Sequence, residues 1–317
     1  MKLAEVIEQY LIDCENRGCS AGTVDLYRRR LGLMTRWLAG QGIEEIEAVT
    51  VPLMRQFLNY LKHSDSSERY GWAVQAGKLA DSTLGSYVAV VKVFFQWCVL
   101  EDLLEVSPAA RLRKPTMLQK VRPSLTPDEV ERLLSCCDQT TRAGYRDYVM
   151  LLLMLDTGVR VSELCSLRLA DVHQRYVKMH GKGHKEREIG IHPEVSKMLW
   201  KFMYKHRGAF LVESEYVFIG EKGPLTVDGV ETIFDRLEKE SGVKVSPHKL
   251  RHTHSKEYLK QGGDIFKLSR ELGHSSVQIT GNIYLSDFKS ADAIQDHEKY
   301  SAVNVVKLGR PKGFSVL

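Results

Sequence analysis

The chain is expected to be mainly α with a small β-hairpin or sheet, built as an N-terminal helical bundle followed by an α+β domain. Three observations carry that expectation. Apolar residues recur at three- and four-residue spacing through the first hundred positions, with no convincing strand among them. Residues 145–156 are apolar on most faces, as a helix at the centre of a second core must be. Residues 176–180 and 187–192 alternate on either side of a Gly-Lys-Gly-His-Lys-Glu turn, which is the pattern of a hairpin. At 317 residues there is chain enough for two cores.

In the first domain, 1–110, Leu3, Val6, Ile7, Tyr10 and Leu11 share one face of a helix that runs to about Cys14. Ser20 is placed to cap a second helix, 23–38, which Gly40 and Gly42 end. Its stripe of Leu26, Leu33, Trp37 and Leu38 leaves Arg28, Arg29 and Arg30 largely off the buried face. A third helix, 51–62, carries Pro52 in its first turn, where a missing N–H does no harm. Residues 63–77 are polar and irregular and read as a loop. Ser82 is the expected cap of a fourth helix, 83–100, dense enough in apolar residues to be the bundle's centre.

Residues 111–123 are basic and punctuated by proline, hence extended. They read as a solvated linker or as a strap along phosphates. The second domain, 124–300, opens at Thr126-Pro127-Asp128-Glu129, a capping box with proline at the first helical position. That helix would run to about Cys137 and contain both Cys136 and Cys137 as buried free thiols. The buried helix 145–156, stopped by Gly158, a short helix 162–169 and the hairpin follow. Then come a helix 194–206, a strand 216–219 and a helix 227–241. Ser246-Pro247 starts a helix ending near Gly262-Gly263, and Asp264 caps another reaching Leu272. A last helix, 291–300, precedes a tail, 301–317.

Composition excludes little. A hydrophobic content of 43% and a charged content of 27% are those of a globular protein. The net charge of +5 permits a polyanionic partner without demanding one. Six cysteines without C-x-x-C pairing, and no leader, point to a reducing, cytoplasmic compartment. The longest apolar run, 149–155, is too short to span a bilayer, so no membrane partner is expected.

The candidate chemistry is that of a phosphodiester. In-line displacement needs a nucleophile, charge neutralisation on the non-bridging oxygens and a proton for the leaving alkoxide. Arginine suits the second task because its planar fork binds two oxygens and never loses its charge. Arg160, in Thr157-Gly-Val-Arg-Val-Ser-Glu-Leu164, and Arg251 are the candidates. His248 sits one helical turn before Arg251 and shares its face. His274 closes Leu272-Gly-His at a helix end, where the macrodipole raises its basicity. Lys182 lies in the hairpin turn, with Lys185 and Arg187 as competitors. Tyr284 is the candidate nucleophile. A phenol of pKa about 10 is ionised to about one part in a thousand at neutral pH, a deficit of roughly 4 kcal/mol that neighbouring cations must offset.

Each residue has a plainer reading: an arginine paired with Glu163, a C-capping histidine, hairpin-tip lysines, a core tyrosine. His248 and His252 also stand at the i, i+4 spacing of a zinc pair, with His254 near. Lys249, Arg251 and Lys256 would repel a dication there and no HExxH occurs, so no metal or other cofactor is expected.

Taken together, Arg160, Lys182, His248-Lys-Leu-Arg251, Leu272-Gly-His274 and Tyr284 resemble the tyrosine recombinases, the family of phage integrases and Xer-type enzymes. The resemblance implies that residues 1–110, most visibly 82–115, are a core-binding domain and that 124–300 are the catalytic domain. It implies that Tyr284 attacks DNA to give a 3′-phosphotyrosyl link and a free 5′-hydroxyl. Arg160, Arg251 and His274 would bind the non-bridging oxygens. Lys182 would protonate the leaving 5′ oxygen, His248 would assist at the tyrosine, and Glu163 would position its neighbours. Arg28, Arg29, Arg111, Arg113, Lys114, Lys185 and Arg187 are the expected DNA contacts.

Further implications are a homo-tetramer on double-stranded DNA with short inverted half-sites, joined through the helix 291–300, and accessory proteins. Thr280-Gly-Asn-Ile283 and Leu285 depart from the family's usual surroundings of the nucleophile, so cleavage in cis or in trans stays open. Gly309-Arg-Pro311 resembles an AT-hook, or is a plain tail. A type IB topoisomerase-like activity and a non-catalytic DNA-binding accessory protein are the alternative readings.

Overall fold

A computed structural model describes residues 1–65, 78–116, 124–181, 186–210, 212–273, 276–278 and 281. The chain divides into two compact units, Met1–Gln119 and Lys120–Leu317. The described residues are mostly helical, and the strands among them form two small antiparallel sheets.

The first unit is built on α1 (Leu3–Asn16), α2 (Ala21–Gly40), α3 (Val51–His63) and α4 (Asp81–Leu100). Ser20 caps α2 as expected, accepting from the Thr23 amide at 3.3 Å. The fourth helix starts two residues early. Ala80 is its N-cap, and Asp81 rather than Ser82 meets the positive end of the helix. α4 touches α1, α2 and α3. Tyr10 lies 5.4 Å from Phe94 and 5.3 Å from Trp97, ring to ring, and Phe57 and Phe95 are wholly buried beside them. Burial of such side chains stabilises the bundle by roughly 1.5–3 kcal/mol each.

By length and composition alone α4 could cross a membrane, the one such helix among the described residues. Lys92 and Gln96 divide it into short apolar runs. Its Leu84, Val88, Val91, Phe94 and Phe95 are buried against the other helices. The basic stretch that follows is not wholly a linker. Leu112 is buried in the bundle and its carbonyl accepts from Lys92 Nζ at 3.1 Å, while Arg111, Arg113 and Lys114 around it are exposed.

The second unit opens with α5 (Pro127–Ser135), and its capping box is present. Thr126 Oγ1 accepts from the Glu129 amide and the Glu129 carboxylate from the Thr126 amide. This helix stops at Ser135, so Cys136 is its C-cap and the buried Cys137 lies beyond it, not within it. α6 (Arg142–Thr157) is the buried helix. It begins earlier than apolarity indicates because Thr141 caps it. α7 is shorter than expected, Val161–Cys165, with a separate turn at Leu169–Asp171.

β1 (Tyr176–His180) pairs with β2 (Glu186–Gly190) from Tyr176 opposite Gly190 to His180 opposite Glu186. α8 (Pro193–Lys201) continues through a wider turn to His206. In place of the strand 216–219, β3 (Ile219–Gly220) pairs with β4 (Gly223–Pro224), and Tyr216 only bridges Arg168. α9 (Val227–Ser241), α10 (Pro247–Lys260) and α11 (Ile265–Leu272) complete the unit. α10 packs along α6, and α11 lies against both α10 and β2. The expected helix 291–300 and tail 301–317 fall outside the described residues, as do 66–77 and 117–123.

Candidate active site

The site grows from the end of α6. Gly158 closes that helix with φ +61°, and a Cβ there would stand 2.6 Å from His254 Cδ2, so glycine is required on both counts. The turn presents the Gly158 carbonyl to Arg251 Nη1 at 2.7 Å and places Arg160 at the N-cap of α7. Arg251, only 6% exposed, donates its Nη2 to the Leu272 carbonyl at 2.8 Å. Arg160 donates Nη1 to Glu163 at 2.9 Å and Nη2 to the Gly273 carbonyl at 3.2 Å. From β2, Arg187 donates Nε to the Glu271 carbonyl at 2.7 Å and both Nη atoms to the two Glu163 oxygens, at 2.9 and 2.8 Å.

Three guanidiniums from three elements thus take three successive carbonyls, 271 to 273, at the C-terminus of α11. These acceptors have no partner within their own helix and sit at its negative end, which is why cations gather there. The next residue in the chain is His274. Gly273 itself has φ +63°, and Arg187 Cζ lies 3.1 Å from where its Cβ would be. The Leu-Gly-His spacing is therefore a helix stop that only glycine can make with an arginine packed against it.

Electrostatics hold the group together. Burial alone would raise the Glu163 carboxyl. The Arg187 hydrogen bond, the Arg160 backbone N–H and the charges of both arginines outweigh burial and bring it below the usual carboxylate range. Glu163 is therefore ionised at neutral pH. Against it stand Arg160, Arg187 and Arg251, so these four side chains leave positive charge in excess, as an anion site requires.

Of the residues expected in the site, the structure brings together Arg160, Arg251 and Glu163. His248 is exposed in the first turn of α10, one turn before Arg251. Lys182, Lys185, His274 and Tyr284 lie outside the described residues. Arg187 is turned inward. Expected as a DNA contact, its side chain is 13% exposed and is bound to Glu163 and Glu271. Strand alternation explains this, since Arg187 shares a face with the buried Ile189. Its inward role was missed at the sequence level because a charged residue beside a lysine-rich turn reads as solvated.

His254, noted as lying near the zinc-spaced pair His248 and His252, is a packing residue under Gly158. Its Nδ1 lies 3.1 Å from the Leu155 carbonyl. Burial, aided by the charge of Arg251 and opposed by that hydrogen bond, lowers it to about 4. Among the described residues no three His, Cys, Asp or Glu are grouped to hold a metal ion. In the first unit Arg28 and Arg29 are exposed on α2, Arg29 pairing with Asp25 at 2.8 Å.

Residues 123–290 match the phage integrase family, and residues 7–102 match the phage integrase N-terminal SAM-like domain. Tyrosine recombinase XerD of Listeria monocytogenes serotype 4b (strain F2365) is 30% identical over 272 residues, covering 83% of this chain and 88% of that protein. XerD of Staphylococcus aureus (strain Mu50) is 30% identical over 288 residues, covering 87% and 92%. Among solved structures, the Tn1549 transposon integrase in complex with transposon right end DNA shares the fold. It has a TM-score of 0.70 at 21% identity and covers 95% of this chain and all of that one. A lambda integrase dimer bound to a COC′ core site gives 0.66 at 20% identity, covering 88% and 97%. Matched in both of its units and at this identity over most of its length, the chain belongs to the phage integrase family of tyrosine recombinases, enzymes that break and rejoin DNA at specific sites.

Proposed function

We propose that this recombinase cuts DNA with Tyr284 as nucleophile, through a 3′-phosphotyrosyl intermediate. The observation that carries the reading is the gathering of Arg160 and Arg251 at the carbonyls immediately before His274. A phosphate at this edge would meet Arg160, whose side chain is still 42% exposed after binding Glu163 and Gly273. In the reaction the Tyr284 oxygen bonds to phosphorus as the bond to the 5′ oxygen breaks. Lys182 supplies the proton to that oxygen, and His248 takes the proton of the phenol. Arg160, Arg251 and His274 hold the charge that builds on the non-bridging oxygens. A 5′-hydroxyl from a second strand then reverses the step. The phosphotyrosyl ester keeps the energy of the broken bond, so neither ATP nor a metal enters the scheme.

The partner is double-stranded DNA with short inverted half-sites, bound by a homo-tetramer in which the segment 291–300 joins neighbouring protomers. Accessory proteins and a cytoplasmic, nucleoid-associated setting complete the reading. Solved relatives in complex with DNA, one of them a lambda integrase dimer, support the DNA partner and a multimeric assembly. Topoisomerase-like relaxation and a non-catalytic accessory role are not favoured, because the relatives that match most of the chain are recombinases.

The test is Tyr284→Phe on a nicked suicide duplex. Covalent protein–DNA adducts should disappear while duplex binding persists. Adducts that survive in the variant would move the nucleophile to Tyr258 or Tyr300.

A further inference from the structure

Arg187 stands outside the residues given a part in the chemistry above, yet it is the side chain that ties them together. All three of its nitrogens are engaged, Nε by the Glu271 carbonyl and the two Nη atoms by the two Glu163 oxygens. One guanidinium therefore links β2, α7 and the end of α11. Glu163, in turn, holds Arg160 twice, by its Nη1 at 2.9 Å and by its backbone N–H at 2.9 Å. The Arg187 guanidinium also lies against the Cα side of Gly273, the residue that leads into His274. Lysine could not replace it, because an ammonium lacks the planar fork that spans both carboxylate oxygens and leaves Nε for a carbonyl.

We propose that Arg187 is a positioning residue for DNA cleavage. It fixes the Glu163 carboxylate and the turn at 271–273, and through them sets Arg160 and the start of the His274 segment, without touching DNA itself. A side chain 13% exposed with its nitrogens bound has no phosphate to give up when DNA leaves. That distinguishes it from a phosphate contact, whose removal lowers the salt dependence of binding by about one counterion.

Because this role presupposes that Arg160 and His274 hold the phosphate, one readout is chosen that needs no chemistry. In the full chain without DNA, Arg187→Met should speed amide hydrogen exchange in peptides covering 270–278 by about tenfold, leaving α6 unchanged. On nicked suicide DNA, total covalent adduct is counted whichever tyrosine carries it. Its rate should fall about 10²-fold, the loss expected when catalytic groups shift by about 1 Å. Half-site affinity should stay within about twofold and its salt dependence should not change. Arg187→Lys should recover about a tenth of the lost rate or less. Should Arg187→Met fail to fold, Glu163→Gln serves in its place, with a rate loss of about tenfold and the same salt dependence. Unchanged exchange at 270–278, an unchanged adduct rate, or weaker binding with a shallower salt slope would each overturn the proposal. Faster exchange in the variant with no adduct from the parent chain would dismiss the phosphotyrosyl reading and keep the positioning of the turn.

Discussion

The arginines of the first unit and those of the second are put to opposite uses. On α2 and at 111–114 most of the cations face water, although Arg30 is turned inward, donating to the Thr83 carbonyl at 3.1 Å with its guanidinium over the Tyr87 ring. Arg28, Arg111, Arg113 and Lys114 are exposed, and Arg29 is 71% exposed beside an exposed Asp25. In the second unit Arg251 and Arg187 are turned inward onto backbone carbonyls and Glu163, and Arg160 is half-held by the same partners. On the proposed reading the difference matches the two tasks of a DNA-cutting enzyme. Binding a duplex exchanges counterions for flexible, solvated cations, and little is lost if each finds a slightly different phosphate. Stabilising a transition state needs donors held in place before the substrate arrives, so that nothing has to reorganise during the reaction.

Breaking the inward set should have the largest effect. Arg251→Ala should lower the rate of adduct formation by about 10³-fold, measured by single-turnover cleavage, because the proposed charged donor to the phosphate is lost. It should also reduce unfolding free energy by roughly 1–3 kcal/mol for each carbonyl left unpaired, at Gly158 and Leu272. Near-normal cleavage in this variant would mean that the buried arginine is only a structural tie.

The second effect concerns pH. The second unit holds His254 neutral, with its value lowered from 6.5 to about 4. Its contribution is fully present above the unfolded value and is lost as pH falls from 6.5 toward 4, by about 3 kcal/mol. Burial pushes Asp156 and Glu271 upward, which acts in the opposite sense, since a carboxyl raised in the folded state favours folding as it takes up its proton. The measurement is therefore the difference between parent and variant. His254→Phe should flatten denaturant stability between pH 4 and 6.5, and a superimposable pair of curves would contradict it.

In the first unit the expected effects are smaller and of another kind. Arg113→Ala and Lys114→Ala should each weaken half-site binding regardless of sequence and reduce the salt slope by about one, with cleavage of prebound DNA unchanged. Loss of cleavage without loss of binding would break the contrast between the units. Smallest of all, Arg29→Ala should change thermal stability by no more than about 0.5 kcal/mol, because an exposed i, i+4 pair gains little over its hydrated ions.

Much of this was legible from local signals. Ser20, Thr126, Ser246 and Asp264 are caps because each oxygen reaches an amide two or three residues on, and that chemistry depends on neighbours in sequence alone. Gly158 and Gly273 ended helices where a left-handed residue was needed. The errors lie where local signals compete. Ser82 is a good cap residue, but the helix starts before it, with Ala80 at the N-cap and Asp81 in the first turn, and α7 ends at Cys165, short of a separate tighter turn at 169–171. Residues 216–219 have strand composition but divide their pairing, Tyr216 and Val217 toward Leu167 and Arg168, Phe218 and Ile219 toward Pro224 and Leu225, and pairing is not a local property.

By itself the sequence determined which residue types the reaction has at hand, their order, and the helices and glycine stops that carry them, since propensity, capping and periodicity act over a few residues. Only the tertiary structure decided that Arg160, Arg187 and Arg251, far apart in the chain, would share the carbonyls of one helix end. It likewise turned Arg187 from the solvent toward Glu163. The physical reason is that a helix C-terminus attracts any cation the fold brings within reach, and reach is set by the packing of α10, α11 and β2, which no single stretch of the chain encodes.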